Sequence, residues 1–141
     1  MSSTSDKFNT SYYLKKTNDT VPIVFIHGVG LTKEIWHPQI EFFKDNNLLT
    51  YDLIGHGDTP LEKTQLNFKD FTEQLLNLID ELNINKIHLV GFSLGSLIAR
   101  HFASEHNDRL SSLTLHGSIY KRSLEQKRVI ENRFELIKTN D

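Results

Sequence analysis

The chain has 141 residues, of which 38% are apolar and 24% charged, with a formal net charge of −2 and no cysteine. That balance excludes a disordered chain, and near-neutrality argues against a nucleic acid or an anionic membrane held by bulk charge. The missing cysteine excludes a disulfide framework, a thiolate nucleophile and a sulfur-ligated metal, and the length fits one domain with a buried core.

Residues 1–10 are polar and read as a flexible tail without the apolar segment of a secretory leader; Ser2 excludes myristoylation. No stretch reaches the roughly 20 apolar residues that cross a bilayer, so a cytoplasmic location is the expectation. Ser11–Lys16 and Val21–Ile26 then read as strands, with Thr17–Thr20 as the turn between them. Val21-Pro-Ile-Val-Phe-Ile26 is almost wholly apolar, as in a strand covered on both faces. Pro38 suits a first helical position and opens a helix to Lys44. Leu48–Leu53 is the next strand. Phe68, Phe71, Leu75, Leu78 and Leu82 share one helical face, with Asn67 as N-cap. Ile87–Val90 reads as a strand, Leu94–His106 as a helix and Leu110–Leu115 as a strand. Ser123-Leu-Glu-Gln126 is a capping-box pattern that opens a last helix, with Ile130, Phe134 and Ile137 on its apolar stripe. Lys121, Arg122, Lys127, Arg128 and Arg133 alternate there with Glu125, Glu131 and Glu135, as on a solvated face.

Strands and helices alternating at this spacing predict an α/β fold, with a mostly parallel sheet and helices on both faces. Ligands of such sheets sit beyond the carboxyl ends of the strands, so the loops after Ile26, Leu53, Val90 and Leu115 are the ones to interrogate. Gly91-Phe-Ser-Leu-Gly95 follows one strand directly and opens a helix, the context in which G-x-S-x-G projects its serine from a sharp, strained turn. Ser93 is thus the candidate nucleophile, and Gly91 and Gly95 are needed where a side chain would strike neighbouring backbone. In His27-Gly-Val-Gly30, glycines 28 and 30 flex a loop that can aim the Val29 N–H at a developing oxyanion, paired with the N–H of Leu94. A dinucleotide site is disfavoured, because Lys33 stands where G-x-G-x-x-G needs its last glycine. In Asp52-Leu-Ile-Gly-His-Gly-Asp-Thr59, Asp52 and His56 read as loop-bracing hydrogen-bonders rather than as a catalytic pair.

At these three loops the chain resembles the α/β-hydrolase family, in its esterase, enol-lactonase and carbon–carbon hydrolase branch, from about Tyr12 to Arg122. Trp36 resembles the tryptophan that follows the oxyanion loop in that branch, and Arg100, Phe102 and Ala103 resemble its helix behind the nucleophile. Ser96, Thr59 and Asn107 depart from the common glycine, serine and proline without removing a chemical group the mechanism needs. The resemblance implies an α/β-hydrolase sheet lacking its last strands, with residues 11–122 as the N-terminal portion of the core and 123–141 as the start of a lid helix.

It also implies a carboxylic ester or lactone as small-molecule substrate, cleaved through a Ser93 acyl-enzyme, with neither cofactor nor metal. Trp36 and Phe92 are the candidate pocket residues. The base and its orienting acid follow the nucleophile in this fold, acid first. After Ser93 come His101 and His106, on the helix leaving the elbow, and His116, which no carboxylate follows until Glu125. The expectation is therefore a truncated hydrolase, weakly active or inactive alone. Its alternatives are a hydrolase-like domain that binds or self-associates through an uncovered sheet edge, or a fragment without independent function.

Overall fold

The computed structural model describes residues 6–118 and 123–139. Five strands form one sheet: β1 (Tyr12–Lys15), β2 (Ile23–Ile26), β3 (Leu48–Tyr51), β4 (Ile87–Phe92) and β5 (Leu110–His116), in the order β1-β3-β2-β4-β5. The pairs β3–β2, β2–β4 and β4–β5 are parallel, and β1 runs antiparallel to β3. Among the described residues four α-helices accompany them: α1 (His37–Phe42), α2 (Phe68–Glu81), α3 (Leu94–His106) and α4 (Leu124–Thr139).

Alternation along the strands sorts the apolar residues into two layers. Val24, Ile26, Leu49, Tyr51 and Leu89 face one way and meet Phe71, Leu75 and Leu78 of α2 and Ile98, Ala99 and Phe102 of α3 in the main core. Phe25 and Leu48 face the other way, onto Trp36, Ile40 and Phe43. Helix α2 begins where Asn67 predicts, in a reciprocal capping box with Asp70. At α4 the Ser123 hydroxyl and the Gln126 side chain likewise exchange bonds with each other's backbone N–H. The stripe Ile130–Phe134–Ile137, and Lys121, Arg122 and Arg133 of the mixed-charge face, lie outside the described residues and side chains.

The strand order and two expectations differ from what local sequence suggests. Thr17–Thr20 lies between the first two strands, but these are not neighbours in the sheet: β1 pairs with β3, with Tyr12 opposite Tyr51. Tyr12 thereby joins the main core from an edge strand. The tail of residues 1–10 is anchored from Asp6 onward. Its carboxylate accepts from the Thr10 N–H and hydroxyl, both at 2.7 Å, while the Thr10 hydroxyl accepts from Gln74 Nε2 at 3.2 Å. Helix α1 opens one residue before Pro38, behind a 3-10 turn at Lys33–Trp36 that Thr32 caps.

Candidate active site

Strand β4 ends at Phe92 and α3 begins at Leu94, so the chain reverses at Ser93. Its φ of 55° and ψ of −115° lie in a region where a non-glycine residue costs about 1–3 kcal/mol. Local bonds hold this strain in place. The Ser93 N–H donates to the His116 carbonyl at 3.0 Å, and the Ser93 carbonyl accepts from the Ser96 N–H at 2.9 Å and its hydroxyl at 2.6 Å. The turn closes only because two side chains are missing. A Cβ at Gly91 would fall 2.3 Å from the Gly95 carbonyl oxygen, and one at Gly95 would fall 2.2 Å from that of Ile26.

The loop after β2 comes up beside the elbow. A Cβ added at Gly28 would lie 3.3 Å from Ser93 Cβ, which places the two loops in near contact. Val29 is 70% exposed and Gly30 turns the chain with a φ of 73°. Leu94 is the first residue of α3, so its N–H belongs to the first turn, whose donors have no partner within the helix.

Beneath that loop lies a knot of buried polar groups. His27 is fully buried; its Nδ1–H donates to the Gly28 carbonyl at 2.7 Å, and its Nε2 accepts from the Leu53 N–H at 3.0 Å. That pattern fits the neutral ring, and burial, helped by nearby His56, holds its pKa below the usual histidine range against the Gly28 bond. Asp52, also fully buried, accepts from the Lys33 N–H at 2.7 Å, from Lys33 Nζ at 3.0 Å and from the Asp58 N–H at 3.0 Å. Burial alone pushes the Asp52 carboxyl up, but these donors together outweigh it and hold it below the usual carboxylate range. Lys33 mirrors this: burial pushes the ammonium down, and the bond to Asp52 and its charge hold it above the usual lysine range. The Thr59 hydroxyl donates to the Asp52 carbonyl at 2.9 Å and accepts from the Ser11 N–H at 2.9 Å, so threonine supplies what serine would there.

The loop-bracing reading of Asp52 thus matches its contacts, whereas nothing in the sequence analysis marked Lys33 as its partner. One signal was present. An acid directly after the wholly buried strand Leu48–Tyr51 needs a buried cation or donors.

The remaining candidates are differently placed. Trp36 is 7% exposed and packs on Phe25, with ring centroids 4.8 Å apart, inside the second core layer. Phe92 stacks on the imidazole of His116, with ring centroids 5.5 Å apart, beside the elbow. His101 pairs through Nδ1 with the Thr72 hydroxyl at 2.7 Å, and His106 packs on Phe102. Among the described residues no side chain hydrogen-bonds the Ser93 hydroxyl, and no three His, Asp or Glu side chains are grouped to hold a metal ion. No described helix is long and apolar enough to cross a membrane.

Residues 21–141 match the family model of the alpha/beta hydrolase fold. The chain belongs to the alpha/beta hydrolase fold family. It is 31% identical, over 130 residues, to (E)-2-((N-methylformamido)methylene)succinate hydrolase of Acinetobacter baylyi, covering 92% of this chain and 49% of that protein. It is 35% identical, over 101 residues, to 3-oxoadipate enol-lactonase 1 of the same organism, covering 70% of this chain and 37% of the relative. Among solved structures, MGS-M2, an alpha/beta hydrolase enzyme from a Medee basin deep-sea metagenome library, superposes with a TM-score of 0.83 at 26% identity, over 92% of this chain and 48% of that one. The chain therefore spans about half, or less, of the length of the relatives it matches.

Proposed function

We propose that this chain carries the nucleophile and oxyanion half of a hydrolase acting on a carboxylic ester or lactone. The observation that carries the reading is the strained backbone of Ser93, held by local bonds at the mouth of two glycine-cleared loops. The Ser93 oxygen attacks the carbonyl carbon and its proton passes to a base. The N–H groups of Val29 and Leu94 hold the resulting oxyanion; its collapse expels the alkoxide, which leaves as alcohol, and water then hydrolyses the acyl-enzyme. In this reading residues 11–122 form the nucleophile-bearing part of the core and 123–141 begin a lid. Among the described residues no side chain hydrogen-bonds the Ser93 hydroxyl as a base would, so slow acylation is the expectation.

Incubation with an organophosphonate, followed by intact-mass and peptide mass spectrometry, tests this. The expected result is a slow, single adduct on Ser93 that Ser93→Ala abolishes. An adduct on another residue would overturn the nucleophile assignment, and rapid stoichiometric labelling would show that a base is present after all.

A second reading, association through a sheet edge, draws on β5, which ends the strand order and leaves Leu113 and Leu115 39% and 37% exposed. Sedimentation at rising concentration should then show a dimer that Leu115→Lys returns to monomer. A monomer at all concentrations removes this second role.

A further inference from the structure

We propose that Lys33 and Asp52 are positioning residues for acyl transfer: their buried pair fixes the far end of the loop that presents the Val29 N–H to Ser93. The inference rests on the Ser93 reading above and adds a function for a pair that holds the end of the oxyanion loop.

The loop from Gly28 to Lys33 is held at both ends by one neighbouring dipeptide. At its start the His27 ring accepts from the Leu53 N–H and donates to the Gly28 carbonyl. At its end Asp52 takes both the Lys33 main-chain N–H and the Lys33 ammonium, one on each carboxylate oxygen. Between these anchors the Leu31 N–H donates to the Gly28 carbonyl at 3.2 Å and Thr32 caps the following 3-10 turn, while Val29 itself is exposed. The Val29 N–H shares its peptide with the Gly28 carbonyl, which accepts from the His27 ring and the Leu31 N–H, so its direction is set at the near end by His27 and at the far end by the Leu31–Lys33 segment that Asp52 holds. A displaced donor is costly, because an oxyanion hole works only when its N–H groups already point where charge develops.

The pair is also better placed for holding than for reacting. The side chain of Lys33 is 4% exposed and that of Asp52 not at all, and each consumes the other's strongest bonding capacity. The ammonium lies a further 3.6 Å from Glu34 and 3.7 Å from Asp58, so acids surround it and it is not offered to a substrate anion.

The test exploits the absence of cysteine, which makes Ser93→Cys the sole thiol of the chain. At about pH 8.5 a good share of that thiol is thiolate without help from a base. Two probes then separate loop geometry from access. p-Nitrophenyl acetate acylates the sulfur: the thiolate attacks the carbonyl carbon, an oxyanion forms and p-nitrophenolate departs with the electron pair. Iodoacetamide alkylates it by displacing iodide, and no oxyanion forms. In the Ser93→Cys chain the ratio of acylation to alkylation should exceed that of the same chain unfolded in urea. An equal ratio would mean that no oxyanion donors act at position 93, and the proposal falls together with the reading beneath it.

Given a raised ratio, Lys33→Met in that background should lower acylation at least about tenfold while alkylation stays within about twofold. The double substitution Lys33→Met/Asp52→Asn removes both charges together and keeps a folded chain available should the single variant unfold. It should show the same selective loss. An unchanged ratio in a folded variant, or equal losses with both probes, would overturn the positioning role.

Discussion

Alanine at position 95 is expected to lower stability by about 3 kcal/mol, at the top of the range for overpacking a close-packed site, and the melting temperature by about 10 °C. The added Cβ would stand 2.2 Å from the Ile26 carbonyl oxygen and 2.7 Å from that of His27. Both obstacles are backbone. Ile26 is fixed by its place opposite Gly91 in the sheet, and His27 by bonds from both ring nitrogens. Relief therefore requires α3 to withdraw from β2, and Ile98, Ala99 and Phe102, all fully buried, move with it. Gly30→Ala is the matched control. Its φ of 73° strains an alanine, but nothing lies within 4 Å of the new methyl, so a loss of only about 1 kcal/mol is expected. Thermal melts of the two variants against wild type decide the matter. Equal shifts would mean that the packing of the elbow, as opposed to its dihedral angles, is not limiting.

The contrast between these glycines explains why the elbow was legible in the sequence. The strand, turn and helix are local, and the nearest atoms an added Cβ at Gly91 would meet belong to Gly95 and Ser96, whereas those that exclude one at Gly95 come from the distant Ile26 and His27. Asn67 and Ser123 were readable for the same reason, since a cap needs only the next three residues. The place of β1 was not. Tyr12–Lys15 looks like a strand from its own residues, but its partner is Leu48–Tyr51, and the nearby Thr17–Thr20 turn points to the wrong neighbour. Asp6 and Thr10 escaped notice because a short polar stretch looks solvated until a distant Gln74 reaches it.

Lys33 is the sharper case. A lysine after a glycine-rich loop reads as surface, as lysines mostly are. Only the fold brings a buried carboxylate from 19 positions away onto its ammonium and its N–H. What the sequence conceals at this site is thus the support beneath the loops, while the groups proposed to meet a substrate are motif residues. Motifs record where chemistry needs a local shape; supporting pairs are written across the chain and become visible only when strands are placed side by side.

That support has a measurable stability. Lys33→Met is expected to cost about 3–5 kcal/mol at neutral pH, because it strands the Asp52 carboxylate in a fully buried site with only two main-chain donors. Lys33→Met/Asp52→Asn is expected to lie within about 1 kcal/mol of wild type, since neither charge remains to be desolvated. The pH dependence separates the charge effect from simple loss of lysine packing. In the wild type, Asp52 titrates below its ordinary range, so its contribution is complete above the unfolded value of about 3.9 and is lost as pH falls through the lower folded one. Lys33 titrates above its ordinary range, so its contribution is complete below about 10.4 and is lost as pH rises through the higher folded value. The pair therefore contributes evenly from about pH 5 to 9. In Lys33→Met the bond and charge of the ammonium are gone while burial and the two main-chain donors remain, so the Asp52 carboxyl titrates higher than in the wild type and acid relieves the stranded charge by protonating it. Urea unfolding at pH 4, 5, 7 and 9 should show the gap between wild type and Lys33→Met narrowing toward acid and holding steady from 7 to 9. A gap of constant width down to pH 4 would mean that Lys33 contributes only its hydrocarbon stem, and that Asp52 is neutral or relaxed to solvent in the variant.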